Sequence, residues 1–222
     1  MGIIDFIYPN NCKICGCKLD NKSIVLCKDC LKNGDYYLYE PFEIKGAKQA
    51  DSPLVYKDFV RHAMHNYKFN GKRIYADWFA SLTTECVQGK IDIWKPDIIT
   101  YVPISFGRWL KRGYNQAELV ARLVAKNVNL PCKSTMGKHM FVKRQSSIDD
   151  HEERVKNAYD AFYVKNNIDV SSKRILLIDD VVTTGSTVSA CADILMRAGA
   201  KAVFVVSMTK TPLKRQKNQN WV

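Results

Sequence analysis

The sequence lacks any apolar run that approaches the roughly 20 residues a membrane-spanning helix requires. Its opening residues also lack the length and the basic flank of a secretory signal. A myristoylation motif needs Ser or Thr at the position that Phe6 occupies. These absences argue against the membrane-spanning, exported and myristoylated classes, and we expect a cytoplasmic protein.

Acidic residues are also in short supply. The chain has 34 Lys and Arg against 22 Asp and Glu, which gives a formal net charge of +12. A basic balance favours polyanionic partners, such as nucleic acid, anionic lipid or phosphorylated substrates. The lysines are scattered along the chain, however, so a proteome rich in lysine is an alternative explanation.

Cysteine is plentiful but unevenly placed, because five of the eight cysteines lie within residues 12–30. Disulfide frameworks usually spread their pairs along an exported chain, so this clustering indicates a metal site. Cys12 and Cys15 form one Cys-x2-Cys turn, and Cys27 and Cys30 form another after eleven residues. Two such turns can present four thiolates tetrahedrally to zinc.

The predicted zinc site is closed and structural, because four protein ligands leave no open coordination position. Metal binding would supply folding energy that a module of about 30 residues cannot obtain from its own core. Gly16 suits the tight turn after the first pair, and Cys17 is a fifth candidate that could replace Cys15.

The chain divides by pattern into three parts. Residues 1–33 are the cysteine-rich module, a small zinc knuckle or ribbon. Residues 34–56 have little helical periodicity and predict an extended segment or hairpin that links the other two parts. Residues 57–222 show the apolar spacing of helices and buried strands, in an order that predicts an α/β fold with a parallel sheet and right-handed crossovers.

The predicted elements of the third part are bounded by turn and capping residues. Residues 133–160 are polar and weakly patterned, which is typical of a functional or mobile segment. The elements are a helix from Asp58 to before Gly71, a helix with Tyr75, Trp78, Phe79 and Leu82 on one face, strand Asp97–Ile104, helix Asn115–Asn127, strand Arg174–Val182, helix Ser186–Ala198 and strand Ala202–Met208.

The most informative segment follows the apolar run Ile175–Ile178, which predicts a strand buried on both faces. Two adjacent carboxylates at its end repel each other, and a bound diol or metal ion would make their placement useful. The hydroxyl-rich run after them opens a helix, whose N–H groups can bind phosphate. No Gly-Lys-Ser/Thr follows, so this is not a Walker loop. The candidate site comprises Asp179, Asp180, Val181, Val182, Thr183, Thr184, Gly185, Ser186 and Thr187.

This run resembles the signature of type I phosphoribosyltransferases, which bind phosphoribosyl pyrophosphate (PRPP). There the acidic pair holds the ribose hydroxyls and the loop holds the 5′-phosphate. A four-cysteine module ahead of such a domain resembles the ComF family, specifically the ComFC-type proteins of natural competence. Further matching segments are Lys68–Gly71, Val102–Ile104, Lys111–Ala117 (with Tyr114 in place of Phe), Gln145, Glu153–Arg154, Asn157 and Phe162.

The resemblance implies a type I phosphoribosyltransferase fold preceded by the zinc module. It also implies a DNA-uptake protein that binds PRPP with Mg²⁺ and single-stranded DNA, and that works with a helicase-like competence ATPase. Such partners could recruit it to the inner face of the membrane. The alternative is an active enzyme that transfers ribose 5-phosphate from PRPP to a nucleobase or related acceptor, and the sequence leaves open whether any transfer occurs.

Four basic residues are candidates for pyrophosphate or DNA contacts. Arg108, Lys111 and Arg112 follow a predicted strand end, where the type I fold places its pyrophosphate loop, and arginine can clamp phosphate with two hydrogen bonds. A solvated basic turn is the alternative. Lys68 could contact phosphate or lie on the surface. The interleaved aromatic residues, Trp109 and Tyr114, could stack on DNA bases or belong to the core.

Overall fold

The computed structural model of the chain describes residues 10–20, 24–38, 41–70, 74–139 and 160–212. The strands in these ranges are β1 (Gln49–Asp51), β2 (Leu54–Val55), β3 (Ile98–Tyr101), β4 (Met136–Lys138), β5 (Phe162–Val164), β6 (Arg174–Val182) and β7 (Ala202–Lys210). The helices are α1 (Lys28–Asn33), α2 (Asp58–Phe69), α3 (Ile74–Gln88), α4 (Ile91–Trp94), α5 (Phe106–Arg112), α6 (Gln116–Asn127) and α7 (Ser186–Arg197).

The central sheet is parallel and has the order β1-β7-β6-β3. β2 also pairs with β7, further along the same strand than β1. β4 and β5 form a separate antiparallel pair. The predicted α/β fold with a parallel sheet is therefore confirmed, and the segment 34–56 contributes β1 and β2, which lie together on one edge of the sheet.

Helices cover both faces of this sheet because successive strand side chains point in opposite directions. Leu176 and Ile178 of β6 belong to one hydrophobic cluster, which includes residues of α3 and α6. Ile175 and Leu177 belong to the other, which includes the buried face of α7. The apolar run of β6 is thus buried on both sides, as predicted.

The buried faces of the two helices α7 and α6 can be compared with the apolar patterns of the sequence. The predicted inward face of α7, Val188, Cys191, Ala192 and Leu195, is buried. In α6 the buried stripe instead includes three alanines, and Leu119 and Leu123 are only partly buried.

The predicted end of the strand that begins at Asp97 was wrong. β3 ends at Tyr101, because Val102 N–H makes the last bond to β6, donating to Ile178 O (3.0 Å), and Pro103 has no N–H to continue. α2 begins at Asp58, as predicted, and the cap position before it belongs to Lys57, whose backbone is extended. No described helix is long and apolar enough to cross a bilayer. Gly71, residues 140–159 with Gln145, Glu153–Arg154 and Asn157, and the basic tail 214–217 lie outside the described residues.

Candidate functional site

The acidic pair lies in β6 beyond the point where β3 has ended. Asp179 is buried, and its Oδ1 accepts a hydrogen bond from the Asp180 N–H at 2.8 Å. Burial and the charge of Asp180 raise the pKa of the Asp179 carboxyl to about 7, against the opposing effects of the Asp180 N–H, Lys68 and Lys138. The ionised form of a carboxyl group in this position is destabilised, and a cation beside it would offset that destabilisation.

The predicted phosphate loop turns directly from β6 into α7. Gly185 makes this turn in the left-handed region (φ 84°), a backbone conformation that residues with a side chain rarely adopt. The Thr184 and Ser186 hydroxyls are 3.0 Å apart, and Lys210 Nζ donates to Thr183 O (3.2 Å). Hydroxyls and N–H groups are therefore gathered at the start of a helix, where an anion is favoured.

A cavity of about 180 Å³ lies beside the loop, and its lining includes both carboxylates. Four cationic side chains from three different segments also line it: Lys68, Arg108, Arg112 and Lys138. A smaller cavity follows the phosphate loop from Val181 to Val188 and shares Asp179, Val181 and Thr187 with the first. The two cavities together form one groove with hydroxyls at one end and cations at the other.

Lys68 enters the groove from the last turn of α2. Its ammonium lies 2.8 Å from Asp180 Oδ1, and both side chains are mostly shielded from solvent. Arg112 Nη1 donates to Gln116 Oε1 (2.9 Å), and its guanidinium lies 5.0 Å from the centre of the Phe69 ring. Two of the predicted basic residues are thus held by specific partners rather than solvated.

The basic segment after β3 forms a short helix, α5, where a loop was expected. None of its seven residues, all of which the structure describes, is buried. Arg108 and Arg112 line the cavity, whereas Lys111 does not. Phe106, Trp109 and Leu110 are 48–61% exposed, and the first two rings stack with centroids 6.2 Å apart.

Of the two alternatives for Tyr114, the core is the one observed. Tyr114 is buried, its ring lies 5.7 Å from that of Tyr67, and its hydroxyl donates to the Tyr67 carbonyl. Only Trp109 of the two predicted stacking residues is therefore exposed for a base.

Lys138 is the cavity residue that sequence reasoning missed. It lies in the weakly patterned segment 133–160, where no motif distinguishes it from other lysines. The β4–β5 pairing places it opposite Phe162, and its ammonium lies 4.6 Å from the centre of that ring. Only the antiparallel pairing of two separate segments brings Lys138 to the groove, so local sequence carries no signal for it.

The cysteine module closes around a group of thiols. Cys12, Cys15, Cys17 and Cys27 have sulfur atoms within 4.8 Å of one another. The N-terminal turn is fixed by Gly16, whose N–H donates to Cys12 O (3.0 Å), and α1 begins directly after Cys27. The predicted ligand Cys30 lies in the first turn of α1, where its N–H donates to Cys27 Sγ (3.4 Å).

The thiol group fits a metal ion with soft ligands. Cys15 Sγ and Cys27 Sγ are 3.8 Å apart, which is close to the roughly 3.8 Å edge of a tetrahedron with Zn–S bonds of about 2.3 Å. Burial opposes ionisation of Cys12, but backbone hydrogen bonds, chiefly from Cys15 and Cys27, lower its pKa to about 6. Burial and the neighbouring thiols raise the pKa of Cys30. Full ionisation of four thiols so close together requires a cation.

The sequence of the chain is similar to a known family and to curated proteins. The family profile described as phosphoribosyl transferase domain matches residues 110–222. Competence protein F of Haemophilus influenzae is 30% identical over 118 residues, 52% of this chain and 51% of that protein. Competence protein ComFC of Streptococcus pneumoniae is 30% identical over 158 residues, 71% of this chain and 66% of that protein.

The chain thus spans about half of the first of these curated relatives and about two thirds of the second. Among solved structures, a purine phosphoribosyltransferase from Pyrococcus horikoshii is similar with a TM-score of 0.39 and 16% identity, over 60% of this chain and 84% of that chain.

Proposed function

Because the chain belongs to the phosphoribosyl transferase domain family and groups with the ComF competence proteins, we propose that it serves DNA uptake by binding PRPP and single-stranded DNA. The role in competence is inferred from the relatives of the chain, which are competence proteins. A helicase-like ATPase partner is the part of this proposal that rests on the family resemblance alone, and a cytoplasmic location is the expectation from the sequence.

The observation that carries PRPP binding is the groove with two unlike ends. PRPP has a 5′-phosphate at one end, a pyrophosphate at the other and a diol between them. The phosphate loop Thr183–Thr187 suits the single phosphate, and the cluster of Lys68, Arg108 and Arg112 suits the pyrophosphate. Asp179 lines both cavities, Asp180 lines the larger one, and their carboxylates can accept hydrogen bonds from the diol.

Lys68 also stabilises the carboxylate of Asp180 when no ligand is bound. Its ion pair with Asp180 offsets the charge of the more exposed carboxylate of the pair. A ligand diol that takes Asp180 would release the Lys68 ammonium, which can then turn to the pyrophosphate. We infer that Lys68 exchanges a carboxylate for a phosphate when PRPP binds.

A magnesium ion fits the part of the groove that Asp179 and Asp180 line. Carboxylate and phosphate oxygens are the hard ligands that Mg²⁺ prefers, and the two adjacent carboxylates supply the protein's share of them. When bound, Mg²⁺ would offset the pyrophosphate charge. The protein's own contribution is to hold the diol and to keep the cationic side chains around the phosphates.

The support for DNA binding is the surface of α5. Three exposed apolar side chains, Phe106, Trp109 and Leu110, alternate there with three cations, Arg108, Lys111 and Arg112. Single strands bind to surfaces that combine cations for the backbone with flat rings for the bases. Since Arg108 and Arg112 also line the groove, part of a DNA footprint adjoins the PRPP site.

Calorimetry with PRPP and Mg²⁺ tests the first half of the proposal. We expect the pair of changes Thr184→Val and Ser186→Ala to abolish measurable binding, because it removes both hydroxyls at the helix start. Both side chains lie at the solvent-facing turn, so thermal unfolding should stay close to that of the unmodified protein. Unchanged affinity in this folded variant would contradict the assignment, and pyrophosphate release with a nucleobase present would identify the transferase instead.

A further inference from the structure

The four cations around the groove differ in what already holds them. Lys68 forms its ion pair with Asp180 at 2.8 Å. Arg112 is fixed by the Gln116 amide and the Phe69 ring. Arg108 is exposed to solvent. Lys138 is partly buried, yet within the ranges the structure describes its ammonium makes no hydrogen bond or ion pair, and the Phe162 ring lies against it at 4.6 Å.

The surroundings of Lys138 disfavour its charge. Burial, and then the charge of Arg108, lower the pKa of the Lys138 ammonium, and the opposing effects of Cys191 and Asp179 do not cancel this. A partly buried cation without an anionic partner is costly for the folded protein. A ligand that supplies the missing anion would remove this cost, so such a lysine is a candidate for ligand binding.

The β4–β5 pair holds Lys138 in place. Lys138 pairs with Phe162 across the two strands, so the ring lies beneath the ammonium and directs it into the cavity lined by Asp179 and Arg108. This wall of the cavity is built by neither α5 nor the phosphate loop. A ligand anion held by Arg108 and Arg112 on one element would therefore meet a further cation from a second element.

We propose that Lys138 is a phosphate-binding residue whose ammonium donates to the pyrophosphate group of a sugar pyrophosphate ester bound in the groove. This rests on the proposed function, because it names one more residue of the same site. It assigns to Lys138 the role of an additional clamp on the most highly charged end of the ligand.

The test compares Lys138→Gln with Lys133→Gln. Lys133 precedes β4, is exposed and carries the same charge, so its replacement controls for the change in net charge. Calorimetry measures binding of inorganic pyrophosphate with Mg²⁺ and, separately, of PRPP with Mg²⁺. We expect Lys138→Gln to weaken both about tenfold, which is the size of one charge-assisted hydrogen bond. Lys133→Gln should change neither by more than about twofold, and Lys138→Arg should restore most of the affinity because it keeps the charge.

The outcomes separate this proposal from the broader one. Unchanged pyrophosphate affinity in Lys138→Gln, or an equal loss in Lys133→Gln, would overturn the role of Lys138 while leaving PRPP binding intact. If the unmodified protein binds pyrophosphate through Lys138 but does not bind PRPP, the proposed function fails and the phosphate role of Lys138 stands. If the unmodified protein binds neither probe, the role of Lys138 is refuted as well.

Discussion

Replacing Asp179 by Asn should make the ligand-free protein more stable at neutral and alkaline pH. The carboxyl pKa of Asp179 rises from an ordinary value of 3.8 to about 7 because of burial and the charge of Asp180. At about 1.4 kcal/mol per pKa unit, ionising this side chain in the folded state costs on the order of 4 kcal/mol. Asn is isosteric, stays neutral and can still accept the hydrogen bond that the Asp180 N–H donates at 2.8 Å.

The pH dependence of this gain follows from the direction of the shift. Below the unfolded-state pKa near 4, Asp179 is protonated in both states, and the two proteins should be about equally stable. Between pH 4 and the folded-state pKa of about 7, the folded protein keeps a proton that the unfolded chain has lost, so the stability of the unmodified protein falls as pH rises. The advantage of Asp179→Asn therefore grows over this range and levels off above it. For a chain of this length, the expected gain at pH 8 is between about 8 and 16 °C in melting temperature.

Thermal unfolding of ligand-free protein from pH 4 to pH 8, followed by circular dichroism, measures the effect. Asp180→Asn is the matched control, because it removes the neighbouring carboxylate but breaks the ion pair with Lys68. That variant should gain less or lose stability. An Asp179→Asn protein that gains nothing at pH 8, or gains equally at every pH, would refute this account of the acidic pair.

Two further predictions concern the metal and the DNA. Purified protein should contain one zinc per chain by elemental analysis, and the joint change Cys12→Ser and Cys27→Ser should remove it. We expect the Cys30→Ser protein to lose zinc and the Cys17→Ser protein to keep it. The reverse result would make Cys17 the fourth ligand. A labelled single-stranded oligonucleotide should bind with an affinity that falls as salt rises; replacing Arg108, Lys111 and Arg112 by Ala should weaken binding and flatten the salt dependence, and PRPP with Mg²⁺ should compete. No binding at low salt would refute the DNA interface, and binding insensitive to both changes would move it elsewhere on the protein.

The sequence was sufficient for features that depend on neighbouring residues. The bounds of β6 and the buried face of α7 follow from local apolar spacing. The phosphate loop could be located because strand, acidic pair, hydroxyl run and helix are consecutive in the chain. Three members of the thiol group, Cys12, Cys15 and Cys27, could be foreseen for the same reason, since they lie within sixteen residues of the chain; the structure places Cys17 with them, whereas Cys30 was the predicted fourth ligand.

Features that depend on distant segments could not be predicted. Tyr114 stands among basic residues, yet it is buried because Tyr67 of α2 packs against it. Lys138 enters the groove only because β5 pairs with β4. The ion pair between Lys68 and Asp180 joins residues that are 112 positions apart in the chain. In each case the deciding partner is fixed by the fold and not by the local pattern.

The pairing of β1 and β2 with β7 sets an order for the folding of this protein. The paired residues are separated by about 150 positions, so they can meet only after a long loop has closed. During synthesis, residues 49–55 leave the ribosome well before β7 and have no partner strand until it arrives. By then β6, the phosphate loop and α7, which precede β7 in the chain, have also been made. Docking of these two short strands is therefore a late step, and it protects the outer edge of β7 from pairing with other chains only once the segments that build the groove are present.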